Sequence, residues 1–283
     1  MKAALTSIRK ELAGIFPKAE IDSLVFLIFE KMKGYSRTQF LLSTEEILSE
    51  DERIELEKMV TRLKNHEPIQ YILGQTEFYG LPFYSLPGVL IPRPETEELV
   101  QWIIQENSLL QPCILDMGTG TGCIAISLQK NIEHATTLAC DISPLCIETA
   151  QRNAKLNGIE ISVFEYDILN NTPNITFPHL DVIVSNPPYV RESEKLLMER
   201  NVLEHEPELA LFVADEKPLI FYERIADFAH LHLKSQGRLY FEINEAFGEQ
   251  CVEMLQAKGF SDIIIRKDIH GKDRMIRSVV GRS

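Results

Sequence analysis

The motif Asn186-Pro187-Pro188-Tyr189 directly follows an apolar run, residues 181–185, that is typical of a buried strand. Prolines cannot donate hydrogen bonds to a neighbouring strand, so strand pairing should stop here and leave backbone carbonyls free. An asparagine carbonyl and a backbone carbonyl can together accept both hydrogens of a planar NH2 group. We therefore predict that Asn186 and Pro187 clamp an NH2 nucleophile and that Tyr189 forms a wall of the pocket.

A glycine-rich turn, residues 118–122, separates an apolar strand-like run from a helical pattern that begins at Cys123. Glycines allow a tight turn and a close approach of a ligand to N–H groups at a helix N-terminus. Asp141 ends the next predicted strand about twenty residues later, where a carboxylate can accept from both hydroxyls of a ribose. Asp167 follows the third predicted strand, where we expect its carboxylate to lie within reach of an adenine amino group. The pattern predicts an adenosine-containing ligand.

Strands and helices alternate through the second part of the chain, which predicts a mostly parallel sheet with helices on both faces. The carboxyl ends of parallel strands share one edge, where ligands bind. The short connection at 267–274 predicts that the last two strands form an antiparallel hairpin. The predicted strands are 113–117, 137–142, 161–166, 181–185, 238–243, 262–266 and 275–280, and the predicted helices are 123–130, 144–157, 218–233 and 246–258.

The first part of the chain, residues 1–74, has helical apolar periodicity at 21–29 and 54–63. Gly34 should end the first of these helices, and Ser49 or Asp51 should cap the second. This pattern predicts a small helical bundle. Two interpretations remain open for it: a bundle without chemistry of its own, or a docking domain for a macromolecular substrate.

Residues 75–94 contain short β-prone pieces at 76–79 and 89–91, interrupted by glycines and prolines, and predict a hairpin-like linker. A helix is expected at 95–105. The charged junction at residues 93–97 is a candidate lid over the pocket.

Composition narrows the class of protein. The net charge is −13, and most of it lies after residue 75. Tight nucleic-acid binding usually requires a basic surface, so this charge disfavours a nucleic-acid substrate. The five cysteines lack C-x-x-C spacing, so we expect free thiols, a reducing cytoplasm and no metal site. The early apolar stretch 24–29 is too short to span a membrane.

The residues 116–122 followed by the Asn186–Tyr189 motif resemble the S-adenosylmethionine-dependent methyltransferases that methylate planar NH2 groups. A more specific resemblance, from about Glu67 to the end of the chain, is to the release factor glutamine methyltransferases, the HemK or PrmC family. Its motifs are EPIQYILG (67–74), EFYGL (77–81) and LIPRPETE (90–97).

This resemblance implies an α/β fold with a seven-stranded Rossmann-like sheet, a terminal antiparallel hairpin and a small all-α N-terminal domain. The implied domains are a substrate-docking domain at 1–74, a linker at 75–94 and the methyltransferase domain at 95–283. The implied reaction is methylation of the side-chain amide N5 of the glutamine in the Gly-Gly-Gln motif of peptide chain release factors, with S-adenosyl-L-methionine as cofactor. No nucleic-acid or membrane partner is expected.

The site residues implied by motif match fall into two overlapping groups. The catalytic residues are Asn186, Pro187 and Tyr189, and Pro188 joins them in binding the glutamine amide. The cofactor residues are Gly118, Thr119, Gly120, Thr121, Gly122, Asp141, Asp167, Ile168 and Asn186. At Ile168 the family often has an aromatic residue that can cover the adenine.

Two alternatives stay open from the residues themselves. Adenine N6 and guanine N2 are also planar NH2 groups, so a nucleic-acid amine methyltransferase would use the same clamp. A non-catalytic nucleoside-binding module would keep residues 118–122 without performing transfer.

Overall fold

The computed structural model describes residues 1–43, 45–170 and 176–281 of the chain. The helices are α1 (Lys2–Leu12), α2 (Lys18–Lys33), α3 (Arg37–Leu42), α4 (Glu50–Lys64), α5 (Ile69–Leu73), α6 (Pro94–Glu106), α7 (Cys123–Asn131), α8 (Pro144–Leu156), α9 (Arg200–His205), α10 (Glu208–Leu211), α11 (Ile220–His232) and α12 (Gly248–Ala257). The strands are β1 (Gln75–Phe78), β2 (Leu81–Tyr84), β3 (Cys113–Met117), β4 (Thr136–Asp141), β5 (Ser162–Glu165), β6 (Leu180–Ser185), β7 (Val190–Arg191), β8 (Phe212–Val213), β9 (Leu233–Glu242), β10 (Phe260–Lys267) and β11 (Asp273–Val280).

The chain forms two compact units, Met1–Gly74 with Glu199–His205 and Gln75–Met198 with Glu206–Ser283. The first unit is helical and contains α1 to α5 and α9. Its core consists of apolar side chains that recur at helical spacing, as their periodicity predicts. The most deeply buried of them are Leu12, Val25, Ile28, Phe29 and Leu63.

Two helix ends in this unit follow their sequence signals. Gly34 ends α2 in the left-handed conformation (φ 69°), and its N–H donates to the Glu30 carbonyl at 2.8 Å. Ser49, rather than Asp51, caps α4: the Glu52 N–H donates to Ser49 Oγ at 3.2 Å, and the Ser49 N–H donates to Glu52 Oε2 at 2.8 Å. This reciprocal capping box leaves Asp51 in the first turn.

The second unit begins with an antiparallel hairpin of β1 and β2. The two residues at its turn, Tyr79 and Gly80, both have positive φ, at 50° and 71°, as a tight two-residue turn requires. The predicted strand at 89–91 was wrong, because the partner strand is Leu81–Tyr84. Pro82 is tolerated there because both strands of a two-stranded sheet are edges.

A seven-stranded sheet in the order β10-β11-β9-β6-β3-β4-β5 forms the centre of this unit. β9, β6, β3, β4 and β5 pair in parallel, and β11 pairs antiparallel with both β9 and β10. The predicted Rossmann-like sheet and terminal hairpin are therefore confirmed. The chain crosses from one side of β3 to the other between β5 and β6, and this reversal creates a crevice at the carboxyl ends of the strands.

Alternate residues of the central strands enter two hydrophobic layers. Leu115, Ile183 and Phe241 pack with side chains of α11 and α12 on one face. Ile114 and Val184 pack with side chains of α6 and α7 on the other. Both faces are covered, which explains the near-continuous apolar runs of these strands. Of the helices in the described ranges, none is long and apolar enough to cross a membrane.

Candidate active site

A cavity of about 200 Å³ lies at the carboxyl ends of β3, β4 and β6. A cavity that holds a single water needs only about 10–15 Å³, so this space accommodates an organic ligand. Apolar side chains supply most of the wall. Of the predicted site residues, those that line the cavity are Gly118, Thr119, Gly120, Thr121, Asp141, Asp167, Ile168, Asn186, Pro187 and Pro188. Gly122 and Tyr189 do not line it.

The glycine turn joins β3 to α7 and contains three residues in the left-handed region. Gly118, Gly120 and Gly122 have φ values of 75°, 55° and 82°. A Cβ at Gly118 or Gly120 would meet no protein atom within 4 Å, so these two glycines keep the cavity wall open to a ligand. At Gly122 a Cβ would lie 3.0 Å from Ile126 and 3.1 Å from Ala150. Gly122 is therefore needed for helix packing.

Asp141, at the end of β4, is bonded to the glycine turn. The Gly120 N–H donates to its Oδ2 at 2.9 Å, and the Ser143 N–H donates to its Oδ1 at 2.9 Å. Each carboxylate oxygen has a further lone pair for a hydroxyl donor. Burial raises the pKa of Asp141, and the bonds from Ser143 and Gly120 partly oppose this shift. The carboxylate thus faces the cavity with its orientation already fixed.

Asp167 and Ile168 follow β5 and line the cavity beside Leu169. The Asp167 carboxylate accepts from Leu169 N–H at 2.9 Å and from Asn170 Nδ2 at 2.8 Å. The bond from the Asn170 side chain is the main reason that the pKa of Asp167 is lowered. Its contact with an adenine amino group stays a prediction.

The Asn186–Tyr189 turn is anchored at several points. Ser185 Oγ, immediately before it, donates to the Met117 carbonyl at 2.6 Å. Asn186 Nδ2 donates to Thr96 Oγ1 at 3.2 Å. The Tyr189 hydroxyl donates to Glu242 Oε1 at 3.0 Å, and its ring packs against the hydrophobic core. Tyr189 therefore anchors the turn to the protein core. We predicted that its side chain would form part of the pocket wall, but it does not line the cavity.

Thr96 and Glu242 belong to this site and were missed in the sequence. Thr96 Oγ1 donates to Glu242 Oε2 at 2.6 Å, and the two residues are 2% and 1% exposed. Burial raises the pKa of Glu242, against the bonds from Thr96 and Tyr189 and the positive charge of Arg274. The sequence does contain one sign of a special role for Glu242, which lies between Phe241 and Ile243. A carboxylate inside such an apolar run is unusual, because glutamate is rarely buried without a partner.

The segment 90–97 forms another part of the wall, including Ile91 and Arg93. Arg93 Nη2 donates to Glu206 Oε1 at 2.6 Å, and the Glu206 side chain is fully buried. The Ile91 N–H donates to Glu206 Oε2 at 3.2 Å. Glu97 accepts from the Tyr79 N–H at 2.9 Å. These bonds fix the segment in place; its action as a lid stays a prediction.

Burial changes the ionisation of other groups near the cavity. It raises the pKa of Asp116 to about 7, although a bond from Thr119 Oγ1 at 2.6 Å opposes the shift. It also raises the pKa of Cys123 and Cys146 to about 12, so these thiols stay neutral near pH 7 and are poor nucleophiles. All five cysteines are free. Within residues 1–43, 45–170 and 176–281, no cluster of three or more His, Cys, Asp or Glu could hold a metal ion.

Two family models match the chain. The PrmC N-terminal domain model matches residues 3–74, and the methyltransferase small domain model matches residues 95–209. Among curated proteins, the release factor glutamine methyltransferase of Flavobacterium psychrophilum is 47% identical over 276 residues, which is 96% of each chain. That of Bacteroides thetaiotaomicron is 45% identical and covers 95% of this chain and 96% of its own.

Solved methyltransferases share the fold. A methyltransferase from Pyrococcus furiosus has a TM-score of 0.52 and 17% identity, and it covers 83% of this chain and 100% of its own. The 16S rRNA N2 G1207 methyltransferase of Thermus thermophilus, in complex with AdoMet and guanosine, has a TM-score of 0.53 and 16% identity, and it covers 73% of this chain and 49% of its own.

Proposed function

Because this chain belongs to the release factor glutamine methyltransferase family, we propose that it methylates the side-chain amide N5 of the glutamine in the Gly-Gly-Gln motif of peptide chain release factors. The observation that carries this assignment is 47% identity over 96% of the chain to a protein of that name. Residues of the glycine turn and of the Asn186–Tyr189 turn line one cavity, and this arrangement supports the assignment. The nucleic-acid and binding-module alternatives gain no support from the relatives.

S-adenosylmethionine is the cofactor, and when bound it supplies an electrophilic methyl group. The residues that we propose hold it are Gly118, Thr119, Gly120, Thr121, Asp141, Asp167, Ile168 and Asn186, with Gly122 shaping the turn. Two observations support the fit: the open space beside Gly118 and Gly120, and the orientation of the Asp141 carboxylate. That carboxylate suits a ribose diol.

The substrate nitrogen is a poor nucleophile, because its lone pair is delocalised into the amide carbonyl. We propose that Asn186 Oδ1 and the Pro187 carbonyl accept its two N–H hydrogens. These bonds orient the lone pair and stabilise the positive charge that develops on nitrogen. The nitrogen then loses a proton to water, since no histidine is among the described residues that line the cavity. Pro188 and Tyr189 hold the turn around the amide.

We propose further that the helical unit, residues 1–74, docks the release factor, that residues 75–94 link it to the methyltransferase domain at 95–283, and that the reaction takes place in the cytoplasm. Support for docking comes from an exposed apolar set on this unit. Leu41, Leu42 and Ile47 are 70%, 79% and 89% exposed, and adjacent exposed leucines are suited to a protein contact.

Incubation with methyl-labelled S-adenosylmethionine tests the function. The acceptors are a release factor, the same factor with Gln→Ala in its Gly-Gly-Gln motif, and bulk RNA and DNA. We expect label in the intact release factor only. Label in nucleic acid alone would replace the assignment by the amine methyltransferase of nucleic acids, and label in no acceptor would favour the binding module.

A further inference from the structure

A buried carboxyl group, Glu242, is linked to both ends of the Asn186–Tyr189 turn, directly to Tyr189 and through Thr96 to Asn186. It accepts from Thr96 Oγ1, which in turn accepts from Asn186 Nδ2, and it accepts from the Tyr189 hydroxyl. Within the described ranges it forms no direct ion pair, and Arg274 is the cation that acts on it electrostatically. A buried carboxylate costs more free energy than an apolar residue of the same size, so its position calls for a functional reason.

We infer that Glu242 is a positioning residue, which acts through Thr96 to turn the Asn186 amide so that its carbonyl oxygen is left for the substrate. This inference rests on the proposed function, in which Asn186 Oδ1 accepts a hydrogen from the glutamine amide.

The direction of each hydrogen bond follows from the chemistry of the three groups. Glu242 accepts from Thr96 Oγ1 through one carboxyl oxygen and from the Tyr189 hydroxyl through the other, so Thr96 donates its single hydroxyl hydrogen to Glu242. Toward Asn186, Thr96 can then only accept. The Asn186 amide must present its NH2 group to Thr96. Because Asn186 lines the cavity, Oδ1 is the amide atom left for a ligand.

Without Glu242, the hydroxyl of Thr96 is free to rotate and to donate to Asn186. The amide can then turn by 180° and present its NH2 group to the cavity. A glutamine NH2 would meet a second donor instead of an acceptor, and the clamp would fail. The carboxylate therefore selects one of two amide orientations that have nearly the same shape.

The end of β9 also fixes the far side of the turn. Asn244 is 7% exposed, and its Nδ2 donates to the Tyr189 carbonyl at 3.2 Å, while the Tyr189 hydroxyl donates to Glu242. The side chain and backbone of Tyr189 are thus both held by residues at one strand end, two positions apart. These bonds restrict movement of the Asn186 backbone. What can still change is the rotation of the Asn186 side-chain amide, and the hydrogen bond to Thr96 fixes that rotation.

A double-mutant cycle tests the inference. Thr96→Val removes the hydroxyl with little change in shape, and Thr96→Ser keeps it as the matched control. We expect Thr96→Val and Glu242→Gln to lower kcat by about 10- to 100-fold, below the loss seen when a charge-stabilising group is removed outright. The affinity for S-adenosylhomocysteine should fall much less than kcat, because the glycine turn and Asp141 are intact, and Thr96→Ser should keep kcat within about threefold of the wild type because it keeps the hydroxyl.

In an Asn186→Ala background, Thr96→Val should have no further effect on kcat, because it acts only through the amide that is gone. If Thr96→Val reduces kcat equally in both backgrounds, or if Thr96→Ser is as inactive as Thr96→Val, the positioning role is wrong.

A second measurement separates this inference from the proposed function. In protein labelled with nitrogen-15 and bound to S-adenosylhomocysteine, the Asn186 side-chain NH2 signals are identified by their loss in Asn186→Ala. We expect a nuclear Overhauser effect between them and the Thr96 methyl group, weakened in Glu242→Gln. Its absence in the wild type would overturn the inference whether or not a release factor is methylated. A wild type with this signal but without methyl transfer would overturn the proposed function alone.

Discussion

The Gly120 N–H donates to Asp141 Oδ2 at 2.9 Å, which ties the glycine turn after β3 to the acidic end of β4. The two residues are 21 positions apart in the chain and come together because β3 and β4 pair in parallel. Asp141 therefore shapes the turn and is also positioned to bind a ligand.

We expect Asp141→Ala to weaken the binding of S-adenosylhomocysteine by about 10- to 100-fold, since hydrogen bonds to a charged group contribute about 1.5–3 kcal/mol. Isothermal titration calorimetry measures this affinity. Glu165→Ala is the matched control, because Glu165 pairs in register with Asp141 on β5 but is exposed and lies outside the cavity wall. Equal affinity losses in the two variants would rule out a direct role for Asp141.

We expect Asn186→Ala to lower kcat for release factor methylation by about a hundredfold or more, because it removes an acceptor that stabilises charge in the transition state. Binding of S-adenosylhomocysteine should survive, since the glycine turn and Asp141 are intact. Single-turnover methylation and calorimetry on the same preparation separate the two effects. Near-normal turnover would exclude the clamp.

Much of this site could be predicted because it depends on local signals. The strand run 113–117, the glycines after it and Asp141 each have a recognisable type and spacing, and a parallel sheet brings strand ends to one edge. The Asn186 motif was found in the same way, because two prolines end strand pairing.

Other parts of the site depend on contacts between distant segments. Thr96 touches Asn186 across 90 positions and Glu242 across 146, so its role requires the order of β9, β6 and β3 in the sheet. The hairpin partner of β1 was misplaced to 89–91 because Pro82 is unfavourable in most strands, and only the two-stranded sheet makes it acceptable. Gly122 was assigned to the cofactor by its motif, whereas its contact with Ala150 can be seen only in the packed structure.

The glycines of the turn should separate into two classes. Gly122→Ala combines positive φ with a Cβ 3.0 Å from Ile126 and 3.1 Å from Ala150, so we expect its free energy of unfolding to fall by about 2–4 kcal/mol. Gly120→Ala has the backbone strain without the collision and should lose about 1–2 kcal/mol. Urea unfolding measures both. The same loss in the two variants would contradict the packing role of Gly122.

The raised pKa of Asp116 predicts that the free energy of unfolding depends on pH. Its pKa is about 7 in the folded protein, against 3.8 for the ordinary side chain. Between pH 4 and 7 the native state keeps the proton and the unfolded state releases it, so this residue makes stability fall as the pH rises. The cost in stability of ionising the buried Asp116 is fully present above pH 7 and absent below pH 4.

We therefore expect Asp116→Asn to be more stable than the wild type at pH 8, by up to roughly 4 kcal/mol, since one pKa unit corresponds to about 1.4 kcal/mol. The difference should shrink steadily toward pH 4. Urea unfolding without cofactor, repeated across this range, provides the measurement. Parallel stability curves for the two proteins would show that Asp116 does not carry the shifted titration.

The exposed leucines of the helical unit test the docking proposal. Leu41→Ser with Leu42→Ser should raise the KM for the release factor by about a hundredfold or more, because each leucine contributes about 1.5–3 kcal/mol when covered and every 1.4 kcal/mol corresponds to tenfold in affinity. The kcat and the affinity for S-adenosylhomocysteine should not change, since neither residue belongs to the cavity. Leu109→Ser with Leu110→Ser is the matched control. It alters a second adjacent pair, 48% and 87% exposed, which precedes β3 and so lies at the amino edge of the sheet, opposite the cavity. A raised KM in both double variants would indicate a general loss of surface hydrophobicity, whereas an unchanged KM in the first would place release factor docking elsewhere on the chain.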